Sequence, residues 1–243
     1  MRSRLLRVNA DDMRAFIGEF IGTAMLLAAV VGSGIMGDRL AGGNVALALL
    51  ANSLATGAAL IALILTFGPI SGAHFNPAVS LSDASQGGLS WSQARAYVVA
   101  QMTGAVLGVA AADYMFQVPV FAWSQHARHG LPQAFSEAVA TFGLVAVIWS
   151  CSRRRSAAVP FAVGAYITGA YWFTSSTSFA NPAVTVARSL TDTFAGIRPS
   201  DAPLFIVAQL VGAAAATALF RWLVPALPRT ADQVVVPHEL TRA

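Results

Sequence analysis

Apolar positions run along this chain in six long stretches, at about 15–36, 45–67, 94–115, 134–151, 157–175 and 203–224, separated by short polar joints. Each is about 18 to 23 residues long, near the ~20 residues that a helix needs to cross a ~30 Å hydrocarbon layer. None shows the two-residue alternation of a membrane β-barrel strand. The pattern therefore predicts six transmembrane helices.

Two further stretches fit neither class. Residues 68–90 are too polar to span, yet Gly72 to Leu81 within them is too apolar for an ordinary loop, and the same holds from Ser178 to Leu190. Each contains Asn-Pro-Ala followed by Val and a hydroxyl residue, at Asn76-Pro77-Ala78 and Asn181-Pro182-Ala183. Asn is preferred just before a helix, and Pro is comfortable in its first turn. We read both as re-entrant segments that enter as extended chain and leave as a short helix from Pro77 or Pro182. Irregular backbone at membrane depth survives only where protein or a water-filled cavity satisfies it, so the pair has to line a lumen.

The chain is two copies of one unit. Glu19-Phe-Ile-Gly-Thr23 is echoed by Glu137-Ala-Val-Ala-Thr141, and Gln101-Met-Thr-Gly104-Ala105 by Gln209-Leu-Val-Gly212-Ala213. With the Asn-Pro-Ala pair, the offsets are 118, 108 and 105 residues, so loop lengths differ between copies. Three spans per unit is odd, hence the second copy enters from the opposite side, as an inverted repeat. Repeat one covers about 14–115 and repeat two about 133–224 of a single channel domain over 1–243, with short tails at 1–13 and 225–243.

Composition agrees: 56% hydrophobic and 11% charged residues, against roughly 25% charged in soluble domains. All 15 basic residues are Arg. They gather before the first span, in the Arg153-Arg154-Arg155 connection and after the sixth span, which by the positive-inside rule makes both termini and that connection cytoplasmic. The Arg run is read as this topology signal and not as a nucleic-acid site. The first apolar stretch lacks a small-residue cleavage site after it and reads as an anchor. Cys151 is the only cysteine, so no disulfide or cysteine metal site forms within one chain.

Gly104 and Gly108, spaced as G-x-x-x-G, and the Gly212 to Ala216 run suit close helix packing. Glu19 and Glu137 are read as the only acidic residues deep in apolar segments. Such groups are functional candidates by default; their pairing with two re-entrant loops favours holding loop N–H groups over proton coupling. No paired carboxylates, Ser/His/Asp set or metal-ligand cluster is present, so the chain is read as no enzyme and as carrying no cofactor. An ion-coupled secondary transporter also uses inverted repeats and broken helices, and stays as an alternative. An adhesive or scaffolding role has little loop surface to work with.

Ser71-Gly72-Ala73-His74-Phe75-Asn76-Pro77-Ala78-Val79, the second Asn181-Pro182-Ala183, the Glu-x-x-x-Thr starts and the paired Gln-x-x-Gly-Ala stretches together resemble the aquaporin and aquaglyceroporin channels, the major intrinsic proteins, over about 14–224. The resemblance implies an all-α membrane protein with six transmembrane helices and two half-helices meeting at the midplane, usually a homotetramer with one pore per subunit. Its partners would be small neutral solutes and membrane lipid. It implies a bacterial inner-membrane location. Half-helix N-termini and the Asn76 and Asn181 amides would then orient a passing oxygen from both sides and repel cations.

In that family four positions build an outer constriction. Placed by spacing from the two Asn residues, they are here Thr56, Gly169, Ser178 and Val184, where many members carry an aromatic at the first, His or Gly at the second and Arg at the last. Loss of the guanidinium removes five donors and a fixed charge. The resemblance thus implies a wide filter passing arsenite or methylated arsenicals, glycerol-like polyols and some water; an ordinary glycerol/water facilitator is the alternative. Arg188, four residues after Val184, lies on the same helix face about one turn nearer the outside. It is expected to form a wider cationic outer vestibule, or else to snorkel or pack against a loop. Asp83 holds the matching position in the first repeat. His74 is expected in the cytoplasmic half of the pore, more readily as a neutral His fixing the loop than as a pH sensor. Tyr171, Trp172 and Phe173 read as an interfacial aromatic belt, with a substitute constriction as the alternative.

Overall fold

The computed structural model describes residues 10–154 and 156–224. The N-terminal arginines before residue 10, Arg155 and the tail from 225 lie outside the described residues, as do the Arg153 and Arg154 side chains. Most of the arginines behind the orientation reading fall there.

Eight α-helices follow one another among the described residues: α1 Ala10–Leu40, α2 Val45–Ser71, α3 Pro77–Gln86, α4 Trp91–Met115, α5 Leu131–Arg154, α6 Val159–Phe173, α7 Pro182–Arg188 and α8 Ala202–Leu223. A single 3₁₀ turn, Ser156–Ala158, precedes α6. The expected half-helices are α3 and α7. Each starts at its proline, with Asn76 or Asn181 in extended conformation as the cap, and the Asn side-chain oxygen accepts from the N–H of Ala78 or Ala183 at 2.9 Å. α2 stops where Gly72, at φ 81°, turns left-handed; such a turn is a common helix C-terminus.

Among the described residues, five helices are long and apolar enough to cross a membrane alone. The fifth predicted span differs: its helix α6 has 15 residues, ~22 Å of rise, with the 3₁₀ turn before it and a turn at 174–177 after it. Ala157 and Ala158 in the turn before α6 carry the apolar pattern into the helix, which is why composition reads a longer span there.

The repeat is visible in packing. α1 lies against α2 and α4, and α5 against α6 and α8, while α2 and α6 meet across the repeats. Close approach is set by glycine at equivalent places. A Cβ on Gly104 would stand 2.3 Å from the Phe20 carbonyl oxygen, and one on Gly212 2.2 Å from that of Ala138. No side chain fits there, so α4 rests on α1 and α8 on α5 backbone to backbone.

The core is a continuous Leu, Ile, Val, Phe and Ala cluster between these helices and the two loops, while large apolar side chains such as Leu54, Leu107, Phe161 and Val211 face outward. An exterior of this kind suits lipid rather than water.

Candidate functional site: a lumen closed by two re-entrant loops

Each loop reaches its half-helix through residues in the left-handed region. Ala73 and Phe75 have φ of 51° and 49°; Ser178 and Ala180, 105 places later, have 51° and 49°. Non-glycine residues there cost of order 1 kcal/mol or more each, so something must hold them. In the first repeat it is Glu19, fully buried. It accepts from the backbone N–H of His74 at 2.9 Å and Phe75 at 2.7 Å, from the Ser71 hydroxyl at 2.8 Å and from Gln101 Nε2 at 2.7 Å. In the second it is Glu137, which accepts from the N–H of Phe179 at 2.9 Å and Ala180 at 2.8 Å and from Gln209 Nε2 at 2.6 Å. Gln101 also donates to the Ser80 hydroxyl and Gln209 to that of Thr185, tying each half-helix to the same carboxylate.

The loops are also bonded to each other. Asn76 Nδ2 donates to the Ala180 carbonyl at 2.7 Å, and Asn181 Nδ2 to that of Phe75 at 2.8 Å. An amide has two N–H donors. One therefore locks the loops together, and one is left on each Asn for whatever occupies the lumen.

Between the loops and helices lies a cavity with about 680 Å³ of space between atoms, mouths included. α2 presents Thr56, Leu60 and Ile64 to it, and α6 presents Val159, Val163, Ile167 and Tyr171. Both stripes repeat every four residues, as one helix face must. Leu26 and Val30 of α1, matched by Leu144 and Ile148 of α5, give the wall further apolar surface. The polar side consists of the loops, with Asn76 and Asn181 among the lining residues.

Three of the four residues placed at the constriction by spacing, Thr56, Ser178 and Val184, line this cavity. Gly169 is different. It is exposed, and a Cβ built on it would meet nothing within 4 Å. Two positions off the Ile167–Tyr171 stripe, it is turned about 200° away. Tyr171 stands in the lumen instead, with its hydroxyl 3.2 Å from Thr56 Oγ1. Counting back from Asn181 misplaced this wall; the four-residue stripe on α6 was the signal that would have found it. The expected aromatic belt is split accordingly: Tyr171 is buried, while Trp172 and Phe173 are exposed and Trp172 Nε1 donates to Ser53 Oγ at 3.1 Å.

Arg188 is 1% exposed. It lies in the cavity wall and packs against a loop at the same time: Nε donates to the Ala195 carbonyl oxygen, and the guanidinium carbon is 3.5 Å from the Phe179 ring centroid. Arg128, to which the sequence reading gave no site role, sits 5.1 Å from the same ring. Its guanidinium donates to the carbonyls of Gly196, Ser176 and Phe194 and to the Thr177 hydroxyl. Burial draws its pKa down to about 10, which leaves it charged near neutrality. Its backbone N–H donates to Asp201 at 2.9 Å. Burial works against ionisation of Asp201, but that bond and Arg198 outweigh it and hold the carboxyl below its usual range.

His74 lines the cavity beside the first re-entrant loop, with Nδ1 3.0 Å from Ser80 Oγ and Nε2 3.8 Å from Asp83. Asp83 and Asp113 are buried too, so Glu19 and Glu137 are not alone among embedded acids. Asp113, near the end of α4, accepts from the Thr191 hydroxyl at 2.7 Å. Among the described residues no group of His, Cys and acidic side chains is arranged to hold a metal.

A chain of spanning helices in two repeated halves, closed around a lumen by half-helices whose capping asparagines each donate to the other loop's backbone, is a membrane channel. This chain belongs to the Major intrinsic protein family, whose model matches residues 7–168 and 153–242; the aquaglyceroporins in it are channels, not enzymes. It is 55% identical to aquaglyceroporin AqpS of Rhizobium meliloti over 90% of this chain and 94% of that one. It is 30% identical to aquaporin Z of Bradyrhizobium diazoefficiens, over 87% and 94% respectively. The X-ray structure of the aquaglyceroporin from Plasmodium falciparum superposes with a TM-score of 0.72, covering 89% of this chain and 98% of that one at 23% identity, a likeness of fold.

Proposed function

We propose that this protein is a passive channel with an arginine-free selectivity filter, conducting arsenite or methylated arsenicals together with glycerol-like polyols and some water. The observation that carries the reading is Val184: it lines the cavity beside Thr56 and Ser178, so the cavity's one guanidinium among the described residues is that of Arg188, one turn along α7, and position 184 itself neither narrows the lumen nor supplies fixed donors. An apolar side chain of modest size leaves room for a solute larger than water. The two Asn amides keep one donor each for a solute oxygen. The bacterial inner membrane, a homotetramer with one pore per subunit, and cytoplasmic termini complete the reading; exposed apolar surface and the placement of the arginines support it.

The glycerol part is also favoured by relatives named as aquaglyceroporins. An ordinary glycerol/water facilitator is the second reading, and what favours it is Tyr171, which adds an aromatic wall beside Thr56. Ion-coupled transport has less support, because Glu19 and Glu137 are committed to loop N–H groups.

Stopped-flow proteoliposomes with water, glycerol and urea, alongside arsenite and methylarsenate uptake, test the proposal. Val184→Arg should leave water flux while cutting the larger solutes at least tenfold. Equal metalloid uptake by both proteins would overturn the open-filter reading. Uptake that saturates and follows an ion gradient would favour the transporter.

A further inference from the structure

Seven residues after each pore asparagine stands a charged side chain, Asp83 or Arg188, and two residues before it stands the ring that this charge faces, His74 or Phe179. The two repeats use one packing relation with opposite charge. At the outer end, the hydrogen bond that the Arg188 guanidinium makes to protein leaves from Nε to Ala195. Among the described residues, no acceptor bonds its two Nη groups and no carboxylate forms an ion pair with it. Stacking on Phe179 offsets part of the cost of burying the charge, but four N–H donors remain at a residue that lines the cavity.

Three more hydroxyls line the same cavity as Arg188. The Ser178 hydroxyl is buried without a hydrogen-bond partner, and the Tyr171 and Thr56 hydroxyls are paired to each other, each with further bonding capacity. The acids of the outer loops are engaged elsewhere: Asp192 accepts from the Gln125 N–H, Asp201 from Arg128 and Arg198, and Asp113 from Thr191.

We infer that Arg188, Ser178 and Tyr171 form a binding site for small oxyacids carrying one negative charge. A guanidinium presents parallel N–H donors that match two oxygens of one such group, and a monoanion supplies the countercharge that the protein withholds. The hydroxyls complete the cradle by donating to a third oxygen. This deepens the open-filter reading and rests on it, since a guanidinium at position 184 would occupy the approach.

Methanesulfonate, a tetrahedral monoanion, is the probe. Full-length protein in proteoliposomes is assayed for glycerol flux at rising methanesulfonate, and in detergent for the melting shift that methanesulfonate induces. The wild type should show saturable inhibition and a saturable upward shift. In Arg188→Gln the inhibition constant should rise at least tenfold, with partial return in Arg188→Lys. An inhibition constant unchanged in Arg188→Gln, or no melting shift in the wild type, would overturn the site. If Arg188→Gln does not fold, Ser178→Ala and Tyr171→Phe decide: weakening by threefold or more supports the site, and unchanged constants in both reject it. The melting shift reads the site even if the wild type conducts no glycerol, a result that would sink the filter reading alone.

Discussion

Glu137→Gln is the most informative single change, because it removes a charge with almost no change in shape. In the wild type one carboxylate oxygen accepts from Phe179 N–H and the other from Ala180 N–H and Gln209. A glutamine offers one acceptor oxygen and an NH₂. Whichever way it is turned, at least one buried donor faces another donor. Hydrogen bonds to a charged group contribute ~1.5–3 kcal/mol each, and a buried donor left unmatched costs ~1–3 kcal/mol. Losing one bond and weakening the others gives a cost of ~3–5 kcal/mol. At tenfold per ~1.4 kcal/mol, the correctly held loop becomes ~100-fold or more less favoured, against left-handed residues that resist this conformation. The expected outcome is a lower melting temperature and glycerol flux per protein down at least tenfold. Unchanged melting and downhill flux, with loss only of a proton-gradient dependence, would refute the scaffold reasoning and point to a coupled carrier.

The mirror change Glu19→Gln should be at least as severe, because Glu19 holds four donors; the double variant should cost less than the sum of the two, since the loops are bonded through Asn76 and Asn181 and are not independent. Gly104→Val should destabilise by more than the ~1–3 kcal/mol of ordinary overpacking, because the obstacle is the Phe20 backbone; denaturation in mild detergent reads it, and a stable variant would mean α4 can move away from α1. In the loop after α4, burial first and then Arg128 and Arg188 hold the His126 pKa below the usual histidine value. The neutral form is therefore the one the fold favours: its contribution is present above about 6.5 and lost as pH falls through the depressed folded value. Hydrogen exchange in residues 122–130 should accelerate across that acidic window, and His126→Gln should flatten the response. Tyr171→Ala should raise flux of solutes larger than glycerol; no change would place the narrowest point elsewhere.

Apolar lengths, the two Asn-Pro-Ala starts and the Glu-x-x-x-Thr and Gln-x-x-Gly-Ala echoes were sufficient for an inverted repeat of spanning helices with two half-helices. These are local or periodic signals: a helix needs its length and caps, and a repeat needs only comparison of the chain with itself. Glu19 and Glu137 could be assigned to loop support because an ionisable group in lipid demands partners. What faces the lumen was not local in the same way. Spacing from Asn181 crosses the end of α6 and seven residues of irregular chain, so it could not say that Tyr171 rather than Gly169 meets Thr56; the rotation of α6 against α2 decided that. Likewise Arg188 could be put on one face of α7, but its burial on Phe179, and the approach of the sequence-distant Arg128 to the same ring, required the loops after α4 and α7 to be folded in three dimensions. Sequence by itself determined which segments enter the membrane. Tertiary packing decided which donors remain unpaired once they are there.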